Sequence, residues 1–124
     1  MNEANIIIFD DSPKITEGIE NNFRPEHNDG YSFKIIGSAT DLDSAIELVD
    51  SLENGEVDVA IVDGNLSARS TDNKDGGRIV GLLQEKFADI VTIGFSDSPR
   101  DFGASVMTHK VDGFKQLVDQ VKNA

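Results

Sequence analysis

The sequence has no cysteine, and its basic residues are few. Without cysteine the chain has no disulfide framework, no thiol nucleophile and no cysteine-ligated zinc site. Its 11 lysines and arginines face 23 aspartates and glutamates, which gives a formal net charge of -12. This charge argues against binding to the phosphate backbone of a nucleic acid, and it favours a basic partner or a divalent cation.

Long apolar runs are missing as well. No segment approaches the roughly 20 apolar residues that a membrane-spanning helix requires, and the first residues, MNEAN, lack the basic start of a signal peptide. We therefore expect a soluble, cytoplasmic protein with no membrane partner and no nucleic-acid partner. A chain of 124 residues suits one domain with a substantial core, which we expect to span residues 1–124 with no accompanying output domain.

Short apolar runs rich in Val, Ile and Phe alternate with segments of helical periodicity. The runs predict strands covered on both faces, at residues 6–9, 33–36, 57–62, 90–95 and 106–107. The helical segments have plausible starts at Ser12 with Pro13, Asp41, Asp75 and Asp112. This alternation predicts an α/β fold, a flavodoxin-like doubly wound parallel sheet of five strands in the order 2-1-3-4-5.

Three aspartates end two of the predicted strands. Asp10 and Asp11 follow the first strand, and Asp63 follows the third. In a doubly wound sheet the carboxyl ends of these two strands flank the ligand crevice, so the three carboxylates should converge there. Each pair of unit charges 4 Å apart would cost about 4 kcal/mol at an effective dielectric of 20. A positive charge is therefore needed, and oxygen ligands without His or Cys favour Mg²⁺ or a similar cation.

Each aspartate taken alone also has a structural interpretation. An aspartate at a strand end is commonly a helix cap or a turn former, and Asp63 with Gly64 has the composition of a turn. Ser12 and Pro13 already supply the cap and the first position of the next helix, so the acidic pair is not needed for that role. Taken together, the three acids are better explained as a site.

Four segments, in order along nearly the whole chain, resemble the receiver domains of two-component response regulators. IIIFDDSP resembles the family's first strand and acidic pair, and VDVAIVDGN resembles the third strand, which ends in the phosphoacceptor aspartate. TIGFSD is similar to the fourth-strand segment that ends in Ser or Thr, and GASVMTHK to the fifth-strand segment that ends in Lys. The order of the four segments carries the resemblance more than any one of them.

The resemblance implies a nucleophile and a metal site. Asp63 would be the phosphorylated residue, and Mg²⁺ would be bound by Asp10, Asp11, Asp63 and the backbone carbonyl of Asn65. A carboxylate can attack a phosphoryl group, and catalysis is then mainly positioning and neutralisation of charge. The protein would be a stoichiometric phosphoacceptor that assists its own phosphorylation and dephosphorylation, not a turnover enzyme.

The resemblance also implies two residues that contact the phosphoryl group, and two kinds of partner. Ser96 would hydrogen-bond one phosphoryl oxygen, and Lys110 would pair with another. Taken alone, they are better interpreted as a polar loop residue and a solvated surface lysine, but their places at the ends of two strands favour the site. The implied partners are a histidine kinase or histidine phosphotransfer protein as donor, and an unidentified downstream protein.

The segment between the fourth and fifth strands departs from the family pattern. Only 13 residues separate Ser96 from Lys110, and they include Pro99 and Gly103. The part before the fifth strand is too short for an average helix of about 11 residues, so we expect the helix there to be missing or reduced to a turn. Met107 stands where many receivers have an aromatic switch residue, so a ring rotation coupled to Ser96 is not expected.

A second departure is an insertion after the predicted phosphoacceptor. The segment LSARSTDNK, residues 66–74, is polar and unpatterned, and it is longer than the family's usual link. It is either a mobile surface loop or a segment that orders when metal or phosphate binds and replaces part of the signalling surface.

Three classes of function remain. The first is an active receiver that signals by a change in partner binding, and the second is a pseudo-receiver, an interaction module that signals without phosphorylation. The third is an enzyme or cofactor carrier with the same sheet. A haloacid dehalogenase phosphatase needs an Asp-x-Asp pattern after its first strand, which NIIIFDDSP lacks, and adjacent carboxylates would repel the phosphate of a flavodoxin cofactor. Fold alone does not choose among them.

Overall fold

The computed structural model describes residues 2–64, 66, 74–97 and 101–124. The described residues form one sheet of five parallel strands, β1 (Glu3–Phe9), β2 (Ser32–Ala39), β3 (Val59–Val62), β4 (Val91–Ser96) and β5 (Val106–His109). Their order across the sheet is β2-β1-β3-β4-β5. The flavodoxin-like order that the sequence predicts is confirmed. The strands differ by a few residues from their predicted bounds, and β3 is the one that is shorter than predicted.

The helices are α1 (Pro13–Asn22), α2 (Leu42–Ser51), α3 (Lys74–Lys86) and α4 (Gly113–Lys122), with short 3-10 turns at Pro25–His27 and Lys110–Asp112. Within the described ranges, none of them has the length and apolar character needed to cross a bilayer.

Two of the four predicted helix starts are capped as the sequence indicates. The hydroxyl of Ser12 accepts a hydrogen bond from the backbone N–H of Ile15, and Asp41 caps α2 in the same way. The third helix begins one residue before the predicted Asp75. Asp112 occupies the N-cap position of α4 but makes no capping hydrogen bond, because its backbone already belongs to the 3-10 turn that follows β5.

Both faces of the sheet are covered, which explains why the apolar runs are continuous. Along β1, Ile6 and Ile8 pack against the core that contains α1 and α4. Ile7 and Phe9 pack on the opposite face, against the core that contains α2 and α3. Successive residues of a strand point to opposite faces. Both sets of side chains are therefore buried where both faces of the strand are covered, and the residues from Ile6 to Phe9 are all apolar.

The edge strand β2 contributes to both cores because of an irregularity in its pairing with β1. The register skips Ile36, as at a β-bulge. Phe33 lies before the skip and belongs to the α1–α4 core, whereas Ala39 lies after it and belongs to the α2–α3 core. Phe33 and Ala39 are six residues apart, so in a regular strand their side chains would lie on the same face.

The connection from β4 to β5 contains no helix in its described part, residues 97 and 101–105, as expected from the sequence; residues 98–100 lie outside the description. A turn takes its place. The carboxylate of Asp101 accepts from the backbone N–H of Gly103 at 2.8 Å, and Gly103 adopts a φ of 94°, which favours glycine. A hydrogen bond connects the turn to β4, because the N–H of Ser105 donates to the buried hydroxyl of Thr92 in β4 at 2.9 Å.

Two side chains pack over β4 in this region. A Cβ atom at Gly94 would collide with the side chain of Met107 and would lie 2.9 Å from the ring of Phe102. Phe102 packs against the α2–α3 core. Gly94 therefore leaves space on that face for Met107 of β5 and for Phe102, which lies in the connection where the receiver pattern would place a helix.

Candidate functional site

The predicted site residues follow paired residues at the carboxyl edge of the sheet. Phe9 and Val62 lie opposite each other in β1 and β3, so Asp10 and Asp63 leave the sheet side by side. Their backbones are fixed by the neighbouring strands, because Asp63 N donates to Phe9 O at 2.7 Å and Asp10 N donates to Ala39 O at 3.1 Å. The pairing of the strands thus sets the separation of the two acids.

The structure brings together the three aspartates that the sequence singles out. One carboxylate oxygen each of Asp10, Asp11 and Asp63 lies within 4.8 Å of the others. Asp10 and Asp63 are buried, with 1% and 6% of their surface exposed, whereas Asp11 is partly exposed. Solvent therefore reaches the cluster from the side of Asp11.

Lys110 lies between the two buried carboxylates. Its ammonium nitrogen is 3.0 Å from Asp10 Oδ2 and 3.1 Å from Asp63 Oδ2. The lysine side chain is only 12% exposed, so it is not the solvated surface lysine of the structural interpretation. It begins the 3-10 turn that follows β5, and this turn directs it back over the edge of the sheet.

The pKa values of Asp10 and Lys110 are both raised, but for different reasons. Burial raises the pKa of Asp10 above its ordinary value, although the Ser12 backbone N–H and Lys110 oppose this rise. Burial alone would lower the pKa of Lys110, but Asp10 and Asp63 together raise it above its ordinary value. The two directions are compatible because Lys110 has two carboxylates beside it, whereas the more deeply buried Asp10 has one ammonium group.

Asp10 also has the turn-forming role that sequence analysis considered and set aside. Its Oδ1 accepts a hydrogen bond from the backbone N–H of Ser12 at 2.9 Å, so it holds the turn between β1 and α1 while Oδ2 contacts Lys110. An aspartate that bonds to the backbone two residues further on is a common turn former, and the sequence DDSP has the required spacing. The structural and functional interpretations of Asp10 therefore both apply.

Of the remaining predicted site residues, Ser96 lies at the same edge of the sheet. It ends β4, is 1% exposed, and pairs in register with His109, the residue before Lys110. Asn65 lies outside the described residues, so its role as a ligand stays a prediction.

The donor set fits the divalent cation that the sequence predicts. Among the described groups, the three carboxylates and the one ammonium group sum to a charge of -2 if all are ionised, which one divalent cation would balance. Carboxylate oxygens are the ligands that Mg²⁺ prefers, and it usually keeps several waters as well. The partly exposed Asp11 leaves an approach for those waters and for a phosphoryl group.

The insertion after Asp63 lies mostly outside the described residues, which include only Leu66 and Lys74 of it. Leu66 is not a surface residue, because it is 4% exposed and packs in the α2–α3 core. Lys74 is the first residue of α3. Leu66 therefore departs from the expected surface segment, whereas Lys74 is exposed, as expected, at the start of the helix.

Sequence analysis also missed the contact between α3 and the backbone beside Asp63. Gly76 N donates to Gly64 O at 2.8 Å, and Asp75 Oδ2 accepts from Leu66 N at 3.1 Å. The signal was present, since two consecutive glycines near the start of a helix are unfavourable unless a neighbouring backbone approaches closely.

Several solved structures have the same fold. One structure of the RcsB response regulator of Salmonella typhimurium superposes with a TM-score of 0.76 at 19% identity, covering 99% of this chain and 61% of that chain. The isolated REC domain of RcsB from Salmonella enterica serovar Typhimurium, in the presence of the phosphomimetic BeF3-, gives 0.75 at 19% identity, with 98% and 87% covered. A response regulator from Thermotoga maritima gives 0.68 at 16% identity, with 96% and 94% covered.

These neighbours show that the chain has the fold of response-regulator receiver domains. It spans about three fifths of the first RcsB structure, 61% of that chain. No protein-family model and no curated protein matches the sequence. At 16 to 19% identity the likeness establishes the fold, and function has to be argued from the site.

Proposed function

We propose that this protein is a two-component receiver that accepts a phosphoryl group on Asp63 in a Mg²⁺-dependent reaction. The observation that carries the proposal is Lys110, whose ammonium nitrogen lies within 3.1 Å of both buried carboxylates. A structural aspartate at a strand end needs no buried cation. A carboxylate that must take a phosphoryl group needs positive charge beside it.

In the proposed reaction a carboxylate oxygen of Asp63 attacks the phosphorus atom of the donor. A new O–P bond forms, and the bond from phosphorus to the donor's leaving atom breaks, with its electron pair going to that atom. Lys110 would neutralise the negative charge on the transferring oxygens, and Ser96 would hydrogen-bond one of them. Asp10, Asp11 and Asp63 would hold Mg²⁺, which supplies further positive charge when bound.

The proposed donor is a histidine kinase or a histidine phosphotransfer protein, and the proposed readout is altered binding of a downstream protein. One phosphoryl group per chain makes the protein a stoichiometric phosphoacceptor and not a turnover enzyme. The RcsB receiver domain was solved with a phosphomimetic, BeF3-, which supports the idea that this fold can accommodate a phosphoryl mimic. The cytoplasmic location stays a prediction.

The pseudo-receiver remains the second candidate, because one region departs from the receiver pattern. Phe102 and Met107 pack over Gly94 in the helix-free region before and along β5. A receiver with this altered face would have to signal through another surface, whereas a pseudo-receiver would need no signal from Asp63. The two candidates differ in one measurable property, the uptake of phosphate.

The test is treatment with acetyl phosphate and Mg²⁺, followed by intact mass measurement. We expect one added phosphoryl group on the wild type, none with EDTA, and none on Asp63→Asn. Asp89→Asn is the matched control, since it makes the same change at an exposed residue before β4 and should keep the label. A wild type that stays unlabelled, or an Asp63→Asn variant that is labelled, would contradict the proposal.

A further inference from the structure

The first turn of α3 is in direct contact with the backbone of the proposed phosphoacceptor. A Cβ atom placed on Gly76 would lie 2.7 Å from the carbonyl oxygen of Asp63 and 2.7 Å from Gly64 Cα. Both are backbone atoms, which cannot rotate away as the end of a flexible side chain can. Only glycine at position 76 lets the helix approach the end of β3 this closely.

Hydrogen bonds hold this contact from two sides. Gly76 N donates to Gly64 O at 2.8 Å, and the carboxylate of Asp75 accepts from Leu66 N at 3.1 Å. Gly64 and Leu66 are themselves buried. Two consecutive residues of α3 therefore fix the chain immediately after Asp63, in addition to the bond from Asp63 N to Phe9 O on the strand side.

This arrangement bears on the chemistry because the position of the Asp63 carboxylate depends on its backbone. Asp63 Oδ2 must stay near Lys110, at 3.1 Å in the structure, and one Asp63 carboxylate oxygen must stay within 4.8 Å of one oxygen each of Asp10 and Asp11. A shift of the Asp63 backbone by several tenths of an ångström would carry the carboxylate with it. Displacements approaching 1 Å can slow a positioned reaction about 100-fold.

We infer that Asp75 and Gly76 are positioning residues for Asp63, so that α3 sets the geometry of the phosphoacceptor. Asp75 acts through its bond to Leu66, and Gly76 acts by allowing the close approach of the helix to Asp63. Neither residue touches the phosphoryl group. The inference rests on the proposed function, and it adds the element that orients the acceptor.

The first experiment compares two glycines of the same helix. Gly76→Ala forces the backbone contact apart, whereas a Cβ at Gly81 meets nothing within 4 Å, so Gly81→Ala is the matched control. Both changes add the same intrinsic helix propensity. We expect Gly76→Ala to slow phosphorylation by acetyl phosphate about tenfold or more, and Gly81→Ala to keep the wild-type rate.

The second experiment covers the case in which Gly76→Ala does not fold. Asp75→Ala removes the acceptor for Leu66 N, whereas Asp75→Asn keeps an oxygen that can accept the same hydrogen bond. We expect Asp75→Ala to slow phosphorylation and Asp75→Asn to restore much of the rate. In the metal-free protein, amide hydrogen exchange at Leu66 should accelerate in Asp75→Ala and change little in Asp75→Asn.

The outcomes separate this inference from the proposed function. If the wild type is phosphorylated and folded Gly76→Ala and Asp75→Ala react at its rate, the inference is wrong and the proposed function stands. If Gly76→Ala is unfolded, the phosphorylation rates of Asp75→Ala and Asp75→Asn decide by the same criterion. If the wild type takes up no phosphate, both are wrong. A slower rate in Asp75→Ala that Asp75→Asn restores, with the matching change in exchange at Leu66, supports the inference.

Discussion

The ammonium nitrogen of Lys110 lies 3.0 Å from Oδ2 of Asp10, a carboxylate that is almost completely buried. Water screens such a pair weakly, so each partner depends strongly on the other. Removing one partner of a buried ion pair is more damaging than replacing both, because a buried charge is left uncompensated. This relationship leads to two predictions, one for each partner.

Replacing the lysine should destabilise the metal-free protein. Lys110→Met keeps an unbranched side chain but removes the ammonium group that contacts both Asp10 and Asp63. We expect the free energy of unfolding in EDTA to fall by about 3 kcal/mol, measured by urea denaturation at pH 7. Lys110→Arg, which keeps the charge, should lose less.

Mg²⁺ should reverse part of that loss. A cation that binds only the folded state stabilises it by mass action, and it would neutralise the carboxylates that Lys110→Met exposes to each other. We therefore expect Mg²⁺ to stabilise Lys110→Met more than it stabilises the wild type. Equal stabilisation of the two proteins would show that the ammonium group and the metal do not share these carboxylates.

Replacing the Asp10 carboxylate should have the opposite effect in the absence of metal, because Lys110 keeps Asp63 as a partner at 3.1 Å and is not left uncompensated. The folded pKa of Asp10 is raised above its unfolded value, so the ionised form is unfavourable in the fold despite Lys110. Asp10→Asn keeps an oxygen that can accept from Ser12 N and removes the buried charge. We expect it to raise the free energy of unfolding at pH 7 by about 1 kcal/mol, measured by urea denaturation in EDTA.

The pH dependence of this gain follows from the sign of the shift. The destabilising contribution of Asp10 is fully present above its folded pKa, and it disappears as the pH falls through that pKa toward the unfolded value. The advantage of Asp10→Asn over the wild type should therefore shrink on acidification. An advantage that stays constant or grows as the pH falls would contradict the assignment.

Asn28 provides a prediction about stability away from the site. Its side-chain amide is buried and donates to the carbonyl oxygens of Asn22 and Arg24, at 2.9 and 2.8 Å, near the end of α1. Asn28→Ala should lower the free energy of unfolding by about 2 kcal/mol, because both bonds are lost within the protein. Asn28→Asp should be worse at pH 7, since a carboxylate cannot donate to those carbonyls, and it should recover as the pH falls and the carboxylate protonates.

Thr92 tests how the described end of the connection between β4 and β5 is held. Thr92→Val keeps the shape of the buried side chain but removes the hydroxyl that accepts from Ser105 N. We expect a loss of about 1 to 2 kcal/mol and faster amide exchange at Ser105 in the variant. Unchanged exchange at Ser105 would show that other contacts hold the turn before β5.

Periodicity predicted the parts of the fold that depend on burial. Continuous apolar runs predicted the strands, and their alternation with helical stripes predicted the order of the sheet, because the covered faces of a parallel sheet leave a strong pattern. The meeting of Asp10, Asp11 and Asp63 followed from topology, since the ends of the first and third strands are neighbours.

Structural features that depend on the close approach of two backbone segments left a weak signal in the sequence, or none. The skip at Ile36 depends on which residues of β2 face β1, and it leaves no mark in composition. The buried role of Asn28 was hidden in a stretch, RPEHNDG, that has the composition of a solvated loop. Asp75 was predicted only as a helix start, because its bond to Leu66 spans an insertion that periodicity does not describe.

The short connection between β4 and β5 also affects how the chain can fold. Ile93 pairs with Val106, only 13 positions further along the chain, whereas Ile6 pairs with Val59, 53 positions away. Closing the shorter segment loses less chain entropy, by about 1 kcal/mol, and local pairings generally form faster than distant ones. The short connection thus makes the edge pairing of β4 with β5 a near-neighbour pairing along the chain, and this pairing can form before the central strands meet.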